Sequence, residues 1–74
     1  MNISYEMYQS LLQRYATEIQ ESKTSLLIYF EKSVGIGDHA THLEEMNLLV
    51  EKMTSANDKL KMLKNMFSDN YSKL

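Results

Sequence analysis

The chain has no cysteine, no proline, no tryptophan and only two glycines among its 74 residues. Without cysteine it has neither disulfides nor thiolate metal ligands, so neither can stabilise so short a chain. Without proline a long helix can run uninterrupted, because a proline inside a helix costs about 3 kcal/mol. These absences favour a single helical domain over residues 1–74, compatible with a reducing compartment.

Strong charge and long apolar runs are also lacking. The net charge of −2 offers no basic face for phosphates, which argues against a nucleic-acid partner. The longest apolar run covers residues 26–30, far short of the ~20 residues that span a bilayer. The first residues lack the basic start and apolar core of a signal peptide. We therefore expect a cytoplasmic protein that binds neither nucleic acid nor membrane.

Two apolar stripes at heptad spacing account for most of the chain. Their steps alternate between four and three residues, the pattern of a helix that packs lengthwise against another helix. The break between them contains Gly35 and Gly37, which suit a helix end. The sequence thus predicts an all-α antiparallel αα-hairpin with a helix over about 3–33, a turn over 34–40 and a helix over about 41–68. The stripes are Tyr8, Leu12, Tyr15, Ile19, Ser22, Leu26 and Tyr29, then Met46, Leu49, Met53, Ala56, Leu60, Leu63 and Phe67.

Capping signals mark the helix starts. Either Asn2 or Ser4 can cap the first helix. For the second helix, Thr41 and Glu44 have capping-box spacing, whereas Asp38 is a competing cap that we favour. The predicted second helix ends near Phe67 or Ser68, and residues 69–72 are expected to form a frayed tail.

Folding the chain back about Gly37 predicts a register between the stripes. Small side chains then face large ones, as interdigitated packing requires. The expected partners are Tyr8 and Phe67, Leu12 and Leu63, Tyr15 and Leu60, Ile19 and Ala56, Ser22 and Met53, Leu26 and Leu49, and Tyr29 and Met46.

The chain carries more apolar residues than one hairpin can bury. Scattered surface hydrophobes are common, but a surplus of this size favours an interface, and two hairpins paired into a homo-oligomeric four-helix bundle would hide most of it. The expected interaction surface comprises Met7, Leu11, Leu27, Ile28, Leu48, Met62 and Met66, with further surplus at Phe30, Leu43 and Val50.

The turn is the only segment that suggests small-ligand chemistry. Its residues are Gly35, Gly37, Asp38, His39 and His42. Histidines with carboxylates form metal-ligand sets, and glycines before a helix start expose amides to an anion. The histidine spacing lacks a further fixed ligand, and the lysine of a phosphate loop is missing. We therefore expect a structural turn with no metal, cofactor or catalytic residue.

The segment from Ser33 to His39, with the acidic helix start at 43–45 and Ala56-Asn57-Asp58-Lys59-Leu60, resembles a type of short helical-hairpin protein. Large tailed phages of the T-even and cyanophage kind encode these proteins. They carry a similar Gly-Ile-Gly-acid-His turn, often with proline where this chain has Ala40. The likeness covers about the last forty residues. The turn is also similar to that of the phage tail-fibre assembly chaperone, a small coiled-coil protein. Neither resemblance transfers a catalytic residue.

The expected function is accordingly that of a non-enzymatic phage-type accessory protein. Such a protein would self-associate through its helices and bind a host or phage protein as a regulator or inhibitor. One alternative is a structural or assembly coiled coil, either chaperone-like or a minor virion component. Another is an oligomer that sequesters a small anionic ligand at the glycine turn.

Overall fold

The computed structural model describes residues 2–32 and 39–71, and it consists of two long helices. Helix α1 spans Ile3–Lys32 and helix α2 spans His39–Tyr71. The helices pack against each other along a molecule that measures 53 × 19 × 14 Å. The predicted all-α helical hairpin is confirmed.

Asn2 caps helix α1. Its side-chain Oδ1 accepts a hydrogen bond from the backbone N–H of Tyr5 at 3.1 Å, which satisfies one of the amides left unpaired at a helix start. The Asn2 carbonyl also accepts from the Glu6 amide at 3.1 Å. The alternative cap, Ser4, lies inside the helix, and its hydroxyl shares a hydrogen bond with the hydroxyl of Tyr71.

Helix α2 is longer than the sequence predicted at both ends. It begins at His39, two residues before Thr41, so the capping-box spacing at Thr41 does not mark the helix start. The favoured cap, Asp38, lies outside the described residues. At the other end the helix continues to Tyr71, so the tail expected after Ser68 is helical as far as that residue.

The two stripes form the seam between the helices. Every residue of the first stripe is buried or half-buried, and so is every residue of the second except Phe67, which is 39% exposed. The most completely covered side chains are small: Ser22 is 1% exposed and Ala56 is 0% exposed. Small side chains at this level let the two helix backbones approach closely.

Aromatic contacts fix the register at both ends of the seam. At the end that carries the chain termini, the ring of Tyr71 stacks on Tyr8 with 4.7 Å between centroids. At the turn end, the Tyr29 hydroxyl donates to the Glu45 carboxylate, and the Tyr29 ring meets His42 edge-on at 5.6 Å. These contacts place the helices within one turn of the predicted register. Tyr71, rather than the predicted Phe67, stacks on Tyr8 because the helix continues for one more turn.

Candidate protein-interaction surface

Large apolar side chains remain exposed on both helices of the hairpin. Among the described residues, only Tyr8, Leu26 and Ala56 are both apolar and buried. Of the ten surplus residues that the sequence singled out, nine are exposed and Leu11 is half-buried. The exposed nine are Met7, Leu27, Ile28, Phe30, Leu43, Leu48, Val50, Met62 and Met66.

One continuous apolar surface lies at the terminal end of the hairpin. Met7 and Leu11 of α1 line a shallow hollow together with Leu63 and Phe67 of α2. Leu63 and Phe67 also line the next hollow, which adds two methionines. Because the hollows share walls, they form one surface. We call this surface the terminal patch: Met7, Leu11, Met62, Leu63, Met66 and Phe67.

A second group of exposed apolar residues lies near the turn, on the opposite flank of the hairpin. Leu11 and Met66 of the terminal patch each precede a seam residue, whereas Phe30 and Val50 each follow one. Successive helical residues are about 100° apart. A residue that precedes a seam residue therefore lies on one side of the seam, and a residue that follows one lies on the other side. We call the second group the turn-end patch: Leu27, Phe30, Leu43 and Val50.

The outer side of α1 is polar and forms its own hydrogen bonds. Gln13 donates to the Thr17 hydroxyl at 3.1 Å, and Gln20 donates to the Thr24 hydroxyl at 3.4 Å. Ser10 likewise donates to the Glu6 carbonyl at 2.8 Å. All of these groups are exposed, so this side is suited to water rather than to an apolar partner.

The predicted turn site is only partly described. Gly35, Gly37 and Asp38 lie outside the described residues, and His39 begins helix α2. His42 is half-buried beside Tyr29, whose hydroxyl is bonded to Glu45. Within the described residues no three His, Cys, Asp or Glu side chains form a metal-binding group. Neither described helix is long and apolar enough to cross a membrane.

Sequence reasoning missed the part that Tyr71 has at the terminal end. Tyr71 lies against both Tyr5 and Tyr8, at 6.3 Å and 4.7 Å between centroids, and it forms one wall of the apolar hollow. The available signal was its position one turn beyond Phe67. The polar residues Ser68, Asp69 and Asn70 instead favoured a frayed tail.

Comparison of the chain with family models, with curated proteins and with solved structures finds no match.

Proposed function

We propose that this chain is a non-enzymatic interaction module that self-associates and then binds another protein. The observation that supports the proposal is the terminal patch: six apolar residues on one continuous surface, in a hairpin that buries only three apolar side chains among its described residues. Exposed apolar surfaces of this extent mark interfaces. A hairpin with so small a core also gains stability from association.

The test is the mass of the protein in solution. At micromolar concentration, light scattering should give at least twice the 8.7 kDa of one chain. The double variant Met62→Lys with Met66→Lys places two charges on the terminal patch and should shift the protein toward monomer. The matched control is Thr54→Lys with Asn65→Lys, which adds the same charge at two exposed positions away from the patch. A wild-type chain that is strictly monomeric would contradict the proposal.

The turn-end patch supports the proposed binding of another protein, because it leaves apolar surface available on the flank opposite the terminal patch. We propose that a protein of the host or of the phage binds there, with the chain acting as a regulator or inhibitor in the host cytoplasm. Pull-down from infected cells should recover a partner with wild-type protein. Recovery should be lost with Phe30→Ser combined with Leu43→Ser, while the oligomeric mass is retained.

A structural or assembly coiled coil is the second candidate. The elongated shape of the molecule, 53 Å in its longest dimension, and the regular heptad burial along its two helices support this function. This function predicts that the chain is incorporated into assembled particles. Particles purified from infected cells and free of the chain would exclude a virion role and leave the regulator proposal in place.

A further inference from the structure

The terminal patch belongs to a longer stripe beside the seam. From Met7 the α1 stripe continues in steps of four and three through the whole helix, and from Met66 the α2 stripe runs back in the same steps. Such steps keep residues on one side of a helix. We call these two rows the flank stripes: Met7, Leu11, Arg14, Glu18, Glu21, Ser25, Ile28 and Lys32 on α1, and Glu45, Leu48, Lys52, Ser55, Lys59, Met62 and Met66 on α2.

The flank stripes lie side by side on the same face of the hairpin. The hollow formed by Met7 and Leu11 with Leu63 and Phe67 joins them at the terminal end. Lys59 lies over the face of the seam residue Tyr15, 5.8 Å from the ring centroid, which places α2's stripe next to α1 at mid-length. The face is therefore one surface, with apolar residues toward both ends, charged residues between them, and the charged residues Lys32 and Glu45 beside the turn.

The charges in the middle of this face have opposite signs on the two helices. The α1 stripe carries Glu18 and Glu21, and the α2 stripe carries Lys52 and Lys59 at the same levels along the hairpin. Arg14, one turn before Glu18, is the exception to this division on α1. Within the described part of the chain, neither Glu18 nor Glu21 forms an ion pair, and Lys52 forms none either. These three charges are therefore available to a partner.

We propose that the occupant of this face is a second copy of the chain, bound about a two-fold axis parallel to the helices, so that α1 of each copy lies over α2 of the other. This inference rests on the proposed self-association and specifies its geometry. In this arrangement Met7 lies opposite Met66 of the second copy, and Ile28 lies opposite its Leu48. Glu18 and Glu21 lie opposite its Lys59 and Lys52. Every contact occurs twice, as an isologous interface requires.

The exposed area of the hairpin is large enough for an interface of standard size. One chain exposes 5762 Å², whereas a compact monomer of this mass exposes roughly 4700 Å². The radius of gyration is 16.6 Å, against roughly 11 Å for a compact chain of this length. The excess of about 1000 Å² is close to the ~800 Å² that each partner buries in a standard interface.

The charges also select one orientation of the second copy. If the second hairpin were inverted end to end, α1 would lie over α1 and α2 over α2. Glu18 would then approach Glu18 of the other copy, and Lys52 would approach its Lys59, although Arg14 would face its Glu21. The parallel two-fold instead makes four opposite-charge pairs, Glu18 with Lys59 and Glu21 with Lys52 in both directions, against two like-charge contacts of Arg14 with Lys59. Since like charges across an interface are unfavourable, the parallel two-fold is preferred.

Charge reversal tests this arrangement in the intact chain. Glu18→Lys with Glu21→Lys should weaken homodimerisation by about tenfold or more, and Lys52→Glu with Lys59→Glu should do the same. Mixing the two variants should restore association, because each copy then meets opposite charges across the interface. The fourfold variant that carries all four reversals should dimerise as the wild type does.

Cross-linking tests the orientation, since the chain has no cysteine of its own. Met7→Cys on one copy should form a disulfide with Met66→Cys on a second, mass-labelled copy. The control pair, Gln9→Cys with Met66→Cys, places the first thiol on the other flank and should cross-link at least about tenfold less. A cross-link between Met7→Cys and Ile28→Cys would overturn the parallel arrangement in favour of the inverted one.

The outcomes separate this inference from the proposed function. A monomeric wild type would overturn both. A wild-type dimer that is unaffected by the charge reversals, or a fourfold variant that fails to dimerise, would overturn the parallel interface alone.

Discussion

At the residue scale, the closest part of the seam depends on two small side chains. Ser22 and Ala56 are 1% and 0% exposed, while the larger seam residues around them are mostly only half-buried. The Ser22 hydroxyl has no hydrogen-bond partner within the described part of the chain. A buried hydroxyl without a partner costs about 1–3 kcal/mol, because it loses its bond to water without a replacement. The small size of Ser22 therefore favours close packing of the helices, whereas its unpaired hydroxyl is unfavourable.

Replacing Ser22 with alanine should stabilise the hairpin. Ser22→Ala keeps a small side chain at the seam and removes the unpaired hydroxyl, so we expect the free energy of unfolding to rise by about 1–2 kcal/mol. Urea titration followed by circular dichroism measures this change.

The control for Ser22→Ala is Ser10→Ala. Ser10 is exposed and donates to the Glu6 carbonyl, so this variant combines the gain in helix propensity with the loss of one exposed hydrogen bond and removes no buried group. If Ser22→Ala lost stability relative to Ser10→Ala, the hydroxyl would have a favourable role, and the packing argument would be wrong.

At the scale of the elements, the start of helix α1 and the end of helix α2 have different causes. Helix α1 starts where a local signal is present, since Asn2 satisfies the amide of Tyr5 three residues away. Helix α2 ends where a distant contact is present, since Tyr71 stacks on Tyr8 and bonds to Ser4 at the other end of the sequence. Packing against α1 therefore extends α2 beyond the point at which its own sequence favours a helix.

Tyr71→Ala should expose this dependence. The variant removes a stacked ring and one wall of the terminal hollow, so we expect a loss of about 1–3 kcal/mol in the free energy of unfolding. Hydrogen exchange of the amides after Phe67 should also become faster, because the last turn loses its anchor.

Asn70→Ala provides the comparison for Tyr71→Ala. Asn70 is the preceding residue and is exposed, so its replacement should leave both stability and exchange close to wild type. Equal effects of the two variants would show that the ring contact does not hold the last turn.

At the scale of the whole molecule, the hairpin is long and thin. Its helices cover each other along one seam only, and the remaining apolar residues lie on the flanks. If association buries the terminal patch, the stability of the fold depends on protein concentration, because the folded oligomer is favoured by mass action.

Thermal unfolding should reveal that dependence. For a dimer, each tenfold rise in concentration should raise the Tm by about 3–6 °C, since every chain gains about half of 1.4 kcal/mol. Scanning calorimetry or circular dichroism at several concentrations measures the shift.

The variant Met62→Lys with Met66→Lys serves as the reference for the thermal measurement. It should unfold at one Tm regardless of concentration, because its terminal patch no longer associates. A wild-type Tm that is equally independent of concentration would count against self-association.

The sequence by itself determined the hairpin and the seam. The heptad steps from Tyr8 to Tyr29 and from Met46 to Leu63 specify which side of each helix is covered, because helical periodicity is a local property of the chain. The exposure of apolar residues such as Met62 and Met66 followed from the same periodicity, since residues beside a stripe cannot enter a two-helix seam.

Only the tertiary structure decided where helix α2 ends and how the flanks are joined. Tyr71 became part of the seam, and Phe67 moved to its rim, through contacts with residues more than sixty positions away in the chain. Likewise, the terminal patch became one surface because antiparallel packing brings Met7 and Leu11 beside Leu63 and Phe67. Local patterns determine helices and faces, whereas helix ends and composite surfaces depend on the free energy of contacts between distant residues.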